Sequence, residues 1–382
     1  HLSSFALGLS LLLVFVACVQ PQKPATAPVS VPSTPAPVAP TPKVSPGEAA
    51  WANVLVAARR EGRVNFYSIY APPEFRGAVN KIMGDRYGIT TDWLVGRGAE
   101  LVERIRVEQR SKQYMADVHF TGFSVALTEV LKDAGALTPF TPPVANLEPG
   151  VWIGKGIDSI NDSREVLTWG VSSTFPIIVN TKAVRPEEYP KAYRDLLHPR
   201  WKGKIVMADP TIPGGGGYQF GQVKVTNGLE YWEKMKQQDI TFIRDFGEVG
   251  RRVATGEDSV ALGLTPDLIV AYLVAGAPLK FVAPEEGVWK GFAPMYPINN
   301  APHPNASKVL MNWLLTKEGQ EVVVRTLGRE PIRKDVAYQA PHPEIEAFLR
   351  GVAKWYMRDW QATKEMDADV AAGVARKLFG LK

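Results

Sequence analysis

Ten side chains beside the apolar segments of this sequence carry groups that recognise small polar molecules. Hydroxyl groups donate and accept hydrogen bonds, aromatic faces stack, and an arginine can pair with a carboxylate or a phosphate. Few of these groups are strong acids, bases or nucleophiles, so the set favours binding over catalysis. The predicted ligand-binding residues are Ser68, Tyr70, Arg97, Thr121, Ser173, Thr174, Asp209, Tyr218, Thr265 and Asp267.

Several of these residues also have a structural explanation. Asp209 before Pro210 can start a turn, and Asp267 can cap a following helix. Tyr70 and Tyr218 can be packing residues. The glycine run 214–217 supplies either free amides for an anion or a flexible turn. The sequence leaves these alternatives open.

The sequence lacks the short motifs of common enzymes and metal sites. Its five histidines do not have the spacing of zinc ligands, and no Gly-x-Ser-x-Gly or phosphate-loop motif occurs. The two glycine-rich segments, 96–98 and 214–217, do not complete a dinucleotide fingerprint. We therefore predict a protein that is not an enzyme and that uses no cofactor and no metal ion.

The net charge of +5 is a mild positive excess. It favours anionic solutes or anionic lipid headgroups, or it serves solubility alone. The basic residues are dispersed and no basic stripe is interleaved with aromatic residues. The sequence therefore predicts no nucleic-acid partner.

The first fifty residues have the pattern of an exported and anchored protein. Residues 11–17 are an apolar run, shorter than the roughly 20 residues that cross a bilayer and typical of a signal peptide. Cys18, the only cysteine, follows a segment that resembles a lipobox and is the predicted lipidation site. The alternative is an ordinary signal peptide. Residues 19–50 contain nine prolines, which predicts an extended tether.

From residue 63 onward, strand patterns alternate with helix patterns, which indicates α/β architecture with parallel strands. The predicted strands are 63–68, 89–95, 116–121, 169–180, 204–208, 240–243, 259–264, 279–282 and 294–298. The predicted helices are 72–87, 100–110, 123–134, 187–197, a region from 218 to 236, 267–275, 306–327 and the tail 343–379. Ligands bind beyond the carboxyl ends of such strands. Most of the ten candidate residues follow a predicted strand, and Ser173 and Thr174 lie just before the apolar segment 175–180.

Three segments resemble signatures of the extracellular solute-binding proteins of ABC transporters. These are 193–206 with its Trp-Lys-Gly-Lys run, 180–184 with Asn-Thr-Lys, and 301–320 with Pro-His-Pro-Asn, Trp-Leu-Leu and Glu-Gly-Gln. Their order and distances agree with the family from about residue 62 to residue 327. The branch of ferric-iron-binding proteins is the most similar.

The resemblance implies a two-lobe periplasmic binding protein type II fold. Each lobe would be a mostly parallel sheet flanked by helices, joined by a hinge of two strands near 174–178 and 295–298. Residues 1–18 would be the signal peptide and 19–50 the tether. The N-terminal lobe would hold 51–145 and about 299–330, and the C-terminal lobe 146–298 and about 331–382. We expect a monomer, periplasmic or on the cell surface, that delivers a small solute to a membrane permease.

The iron chemistry of that branch does not carry over to these residues. Where iron-binding members have two adjacent tyrosines, this sequence has Thr265, Pro266 and Asp267. Their histidine aligns with Ala71 and their carboxylate with Gly122. Ferric iron prefers phenolate and carboxylate oxygens, so we expect no binding of bare Fe(III).

An organic or phosphorylated anion is the first expectation for the solute, from Arg97, the glycine run and the positive charge balance. A ferric chelate or a cation such as thiamine or a polyamine is the alternative within the same fold. An extracellular enzyme and a sensory lipoprotein remain as alternatives of other classes.

Overall fold

Two β-sheets organise the part of the chain that the structure describes. The computed structural model describes residues 46–160 and 162–381, apart from the side chains of Pro46, Asn146 and residues 172–174. Ser45–Lys382 form one unit. The predicted signal peptide, Cys18 and most of the predicted tether lie outside the described residues. The tether prediction is wrong at 46–50, because helix α1 (Pro46–Glu61) starts there, with a proline at a first position that tolerates one.

The described residues form eleven strands and fourteen α-helices. The strands are β1 (Arg63–Ser68), β2 (Thr90–Val95), β3 (Val118–Phe120), β4 (Leu167–Thr174), β5 (Ile177–Asn180), β6 (Ile205–Ala208), β7 (Thr241–Ile243), β8 (Val260–Leu262), β9 (Leu279–Val282), β10 (Val288–Pro297) and β11 (Trp355–Arg358). After α1, the helices are α2 (Pro73–Ile82), α3 (Gly98–Ser111), α4 (Val125–Asp133), α5 (Pro143–Leu147), α6 (Gly215–Asn227), α7 (Leu229–Met235), α8 (Phe246–Thr255), α9 (Val270–Val274), α10 (Pro304–Leu315), α11 (Lys317–Leu327), α12 (Pro343–Gly351), α13 (Trp360–Ala371) and α14 (Val374–Phe379).

Each sheet is the centre of one lobe. The first lobe has the strand order β11-β10-β3-β1-β2, with β4 also paired to β10. The second lobe has the order β7-β6-β8-β5-β9. Strands β1, β2 and β3 run parallel, as do β6, β7 and β8. The long strand β10 and strand β5 run antiparallel to neighbours in their sheets, so both sheets are mixed.

Both faces of each sheet are covered by apolar side chains, because successive residues of a strand point to opposite faces. In β1, Phe66 packs with Trp169 on one face and Tyr67 packs with Tyr296 on the other. In the second lobe, the neighbours Ile177 and Ile178 likewise belong to clusters on opposite faces. Near-continuous apolar strands are typical of sheets buried on both sides.

Before α10, the chain crosses between the lobes at one predicted place and at one that differs from the prediction. Strands β4 and β5 belong to different sheets, so the first crossing lies at 175–176, inside the predicted 174–178. The second lies between β9 and β10, at 283–287. The prediction of 295–298 is wrong, because Met295 there pairs with Phe120 of β3 deep in the first sheet.

The carboxyl-terminal segment also differs from its predicted place. Strand β11 pairs in parallel with β10, so 355–358 belong to the first lobe and not to the second. The tail is therefore not wholly helical. It crosses to the first lobe at β11 and continues into α13 and α14.

Two predicted helices have different forms in the structure. Segment 187–197 contains only short 3-10 turns, since Pro190 cannot continue a helix and restricts the residue before it. The predicted helix 306–327 is divided at Thr316, whose extended backbone ends α10 and whose hydroxyl caps α11 by accepting from Gly319 N.

The glycine run lets α6 approach the ends of β6 and β8 closely. A Cβ atom at Gly216 would lie 2.0 Å from the Ala208 carbonyl oxygen, and one at Gly215 would lie 2.1 Å from the Gly263 oxygen. Real Cβ atoms do not approach backbone oxygens so closely. The run therefore serves packing at the start of α6, and Gly214, with a φ of 126°, also has the backbone of the turn considered from the sequence.

We expect Gly216→Ala to lower the free energy of unfolding by about 1–3 kcal/mol, because the added methyl group must push apart two backbone segments. Gly77→Ala is the matched control. It lies on the exposed side of α2 with nothing within 4 Å of its Cβ position, so it should raise stability by about 0.5–1 kcal/mol. Urea unfolding of both variants measures the difference, and equal effects would contradict the close approach.

Candidate ligand-binding site

The carboxyl ends of β1 and β3 bring several predicted residues together on the first lobe. The buried Ser68 hydroxyl accepts a hydrogen bond from Tyr70 N at 2.9 Å and donates to Tyr70 O at 2.9 Å. The buried Thr121 hydroxyl packs against Gly98 at the start of α3, and Tyr70 Oη lies 3.9 Å from the Cβ position of Gly122. Neighbouring parallel strands explain this clustering, which the sequence predicted.

Arg97 does not join this cluster. Its side chain is 65% exposed, and its Nε lies 3.9 Å from a Glu100 carboxylate oxygen on the surface. The structure therefore places Arg97 in solvent. Ser173 and Thr174 lie in β4, opposite Lys290 and Trp289 of β10, and their side chains are outside the description.

Asp209 has a local structural role in the second lobe. One carboxylate oxygen accepts from Thr211 N at 2.8 Å and from Thr211 Oγ1 at 2.7 Å, and the other accepts from Arg244 Nε at 3.1 Å. Partial burial raises the pKa of Asp209, but the Thr211 hydrogen bonds and Arg244 outweigh burial and hold it below its ordinary value. This geometry is the turn that the sequence offered as the alternative.

Asp267 forms an ion pair between the lobes. It lies in a short 3-10 turn, Pro266–Leu268, that begins after Thr265 in the second lobe. Its Oδ2 accepts from Arg329 Nη2 at 2.9 Å. The Arg329 guanidinium lies 4.1 Å from the centre of the Tyr70 ring and 5.6 Å from that of Trp169, both in the first lobe.

The environment of this pair is almost free of water. Arg329 is 4% exposed, and the cavity beside the pair has a volume of about 20 Å³, room for about one water molecule. Burial lowers the pKa of Arg329, but Asp267 and Tyr70 outweigh burial and hold it above its ordinary value. Burial raises the pKa of Tyr70, and Arg329 opposes that change. Both groups therefore keep their usual protonation at neutral pH.

Arg358 is a second buried guanidinium between the lobes. It ends β11, is 5% exposed, and lies 4.3 Å from the centre of the Tyr218 ring. Its Nη1 donates to Phe123 O at 3.3 Å, and its Nη2 lies 2.9 Å from the Cβ position of Gly291. Within the described residues, its Nε has no hydrogen-bond partner and no carboxylate oxygen lies within 4.0 Å of its nitrogens.

Asp367 on α13 connects the two lobes. Its Oδ2 accepts from Ser124 Oγ at 3.0 Å and from Ala126 N at 2.9 Å in the first lobe. Its Oδ1 accepts from Tyr218 Oη at 3.0 Å in the second. Burial, together with the Asp367 charge, raises the pKa of Tyr218 well above its ordinary value, so the phenol stays protonated and donates.

Sequence reasoning missed the three charged residues Arg329, Arg358 and Asp367. All three follow α11, in the part of the chain where motifs are less diagnostic. The available signal was Arg358 itself, a charged residue that ends the aromatic β-prone segment Trp355–Arg358. Only the pairing of β11 with β10 carries that arginine into the space between the lobes.

Among the described residues, no group of three or more His, Cys, Asp or Glu side chains is arranged to hold a metal ion. No helix in this part of the chain has both the length and the apolar character needed to cross a bilayer.

Comparisons with known proteins agree with this geometry. The family model for bacterial extracellular solute-binding proteins matches residues 78–348. A putative 2-aminoethylphosphonate-binding periplasmic protein of Salmonella typhimurium is 25% identical over 299 residues, which cover 74% of this chain and 82% of that protein.

Solved structures share the fold at lower identity. The periplasmic binding protein AfuA of Actinobacillus pleuropneumoniae, with exogenous fructose-6-phosphate bound, superimposes with a TM-score of 0.68 at 18% identity, over 84% of this chain and 99% of AfuA. The ferric binding protein of Campylobacter jejuni gives a TM-score of 0.63 at 18% identity, over 83% and 98% of the two chains.

We expect Asp267→Asn to lower the free energy of unfolding by about 3–5 kcal/mol, because it leaves the Arg329 charge buried without a carboxylate. The double variant Asp267→Asn/Arg329→Met should cost less than Asp267→Asn alone, since no unpaired charge remains. Urea unfolding of both single variants and the double variant forms the cycle. Additive effects would show that the two side chains are not paired in solution.

Proposed function

Because the chain belongs to the bacterial extracellular solute-binding protein family, we propose that it captures a small anion between its two lobes for an ABC importer. The solute carries a phosphate or phosphonate group. The captured solute passes to a membrane permease, which is how this class of receptor serves uptake. The observation that carries the anion assignment is the unpaired guanidinium of Arg358.

A buried arginine without a counter-ion is costly. Taking a charge out of water is favourable only when it is paired and hydrogen-bonded. A lysine or a histidine can lose its proton when buried, but an arginine cannot. Arg358 therefore needs an anion from outside the described residues, and a phosphoryl or phosphonyl group offers the planar guanidinium several acceptor oxygens.

The relatives support this chemistry, although they do not identify the solute. One is described as a putative 2-aminoethylphosphonate-binding protein, and AfuA was solved with fructose-6-phosphate. The two ligands differ in everything except a tetrahedral phosphorus group with negative charge. That shared group matches what Arg358 requires.

Closure of the lobes supplies the affinity in this proposal. The small cavity beside Arg329 means that the lobes must separate before a solute enters. Ligand then stabilises the closed form only through contacts with both lobes. Ser68, Tyr70 and Thr121 would contact the solute from the first lobe, and Tyr218, Thr265 and Asp267 from the second. Ser173 and Thr174 lie in β4 beside the crossing at 175–176. Arg97 and Asp209 lie at the periphery of the proposed site.

The anchoring end of the chain belongs to the same proposal. A lipid on Cys18 and a proline-rich tether would hold a monomeric receptor at the outer side of the membrane. The two lobes would keep the predicted division, 51–145 with about 299–330 and 146–298 with about 331–382, except that β4, β10 and β11 belong to the first lobe. Mass spectrometry of the protein from cell membranes reads the lipid directly.

Arg358→Met should weaken the binding of phosphorylated ligands by about 100-fold or more, because it removes the buried charge that the anion neutralises. Isothermal titration of the full chain with 2-aminoethylphosphonate and fructose-6-phosphate measures this effect. Ethanolamine and fructose, which lack the phosphorus group, are the ligand controls. Arg350→Met is the matched variant, because Arg350 is 78% exposed and pairs with Glu346 on the surface.

A stability measurement distinguishes an anion-binding role of Arg358 from a structural role. Without ligand, Arg358→Met should unfold at the same or a higher urea concentration than the parent protein, because it removes an uncompensated buried charge. A stabilised variant that no longer binds anions supports the proposal. Tightest binding to thiamine, to a polyamine or to a ferric chelate would show that the anion assignment is wrong.

A further inference from the structure

The amino terminus of α4 has the features of an anion-binding subsite. Free N–H groups and the helix dipole favour negative charge at such a terminus. Ser124 caps α4, and its hydroxyl accepts from Leu127 N at 3.1 Å. The N–H of Ala126 points outward at the same end, toward a carboxylate.

Arg358 lies beside this terminus and points to a ligand independently. Its Nη1 reaches the carbonyl oxygen of Phe123, the residue before Ser124. Arg358 is 5% exposed. Its Nε has no hydrogen-bond partner among the described residues. Through the contact with Phe123 O, the guanidinium lies beside the Ser124 hydroxyl and the Ala126 N–H, and these three groups are donors suited to phosphate or phosphonate.

The chain's own Asp367 occupies part of this place. The same carboxylate oxygen accepts from both Ser124 Oγ and Ala126 N. These are the two donors that a phosphoryl oxygen would use at the end of α4. Asp367 does not pair with Arg358, since its oxygens lie more than 4.0 Å from the arginine nitrogens. The Asp367 carboxylate therefore occupies the amino terminus of α4 and leaves the Arg358 guanidinium without a carboxylate partner among the described residues.

Asp367 lies in the half of α13 that packs on the second lobe, whereas Trp360 at the start of α13 packs on Phe123 of the first lobe, to which the two donors also belong. Val370 and Met366 of α13 contact α6 at Gly217 and Gly221, where no side chain intervenes. Lys224 of α6 pairs with Asp369 at 2.5 Å. Helix α14 continues the attachment, because Phe379 stacks near Phe242 of β7. Opening of the lobes would withdraw Asp367 from α4.

We propose that the α4 amino terminus and Arg358 form the subsite for the solute's phosphoryl or phosphonyl group, and that Asp367 is a built-in competitor for it. This inference rests on the proposed function. Without solute, Asp367 occupies the helix end and joins the lobes. An arriving anion binds Arg358, takes the Ser124 and Ala126 donors, and displaces the carboxylate. The exchange lowers affinity and excludes weakly bound anions.

Asp367→Asn tests the competition. The amide keeps the size of the side chain but loses its charge. A phosphoryl group should therefore displace it from the amino terminus of α4 more readily. Inorganic phosphate and fructose-6-phosphate are the probes, because neither carries an ammonium group that a carboxylate could bind. Both should bind the variant about tenfold more tightly than the parent chain, since charge-assisted hydrogen bonds no longer compete. Glu365→Gln is the matched control, because it removes a negative charge from the exposed face of the same helix and should leave affinity unchanged.

The outcomes separate this inference from the proposed function. If the parent chain binds fructose-6-phosphate and Asp367→Asn binds it equally or more weakly, the competition is wrong and the function stands. If Asp367→Asn binds fructose-6-phosphate and the parent chain does not, Asp367 competes strongly enough to prevent binding, which supports the inference. If neither protein binds any phosphorylated probe, both proposals fall.

A second measurement needs no variant. The amide resonance of Ala126 in the parent chain should shift when phosphate or fructose-6-phosphate saturates the protein, because its hydrogen-bond acceptor changes. A ligand-saturated protein with an unchanged Ala126 resonance would overturn the exchange, even if Asp367→Asn failed to fold.

Discussion

Buried charge between the lobes is the constraint on which the rest of this structure depends. A charge removed from water must find an opposite charge or several hydrogen bonds. Arg329 meets Asp267, and Asp367 meets three donors. Arg358 meets a single carbonyl oxygen. Among the described residues, Arg329 has a carboxylate partner and Arg358 has none, and an anion bound between the lobes would supply the missing charge.

The carboxyl-terminal segment makes this arrangement. After α11 the chain places Arg329 against Tyr70 and Trp169 of the first lobe. Strand β11 then adds to the edge of the first sheet and delivers Arg358, and α13 returns along α6 with Asp367. One segment thus contributes charges that belong to both lobes. In the proposed function, movement of the lobes would change the surroundings of each charge at once and would couple closure to occupancy of the site.

In each lobe, a helix begins at the carboxyl ends of the strands. In the first lobe, α4 begins at the end of β3 with a serine cap and available donors. In the second, α6 begins at the ends of β6 and β8, and its glycines allow an approach that any side chain would prevent. In the first arrangement the helix end binds the carboxylate of Asp367, whereas in the second the glycines allow close packing against the strand ends.

The sequence by itself determined the family, the α/β class and most elements that lie between residues 62 and 327. Local signals were sufficient there, because strands such as Ile205–Ala208 are continuous apolar segments and helix ends such as Gly88 have residues suited to the left-handed cap. It also placed Ser68, Tyr70 and Thr121 together, because parallel strands end at one edge. It missed the division at Thr316 and the turns at Pro190, where one residue overrides a helical pattern.

Only the tertiary structure decided which charged residues are buried. Arg97 and Arg358 are both arginines near strand ends, and no local pattern distinguishes them. Arg97 extends from the start of α3 into solvent, whereas Arg358 is buried because β11 joins a sheet whose other strands lie far away in the chain. Burial depends on such long-range pairing, and burial is what turns a common surface residue into a group that requires a ligand.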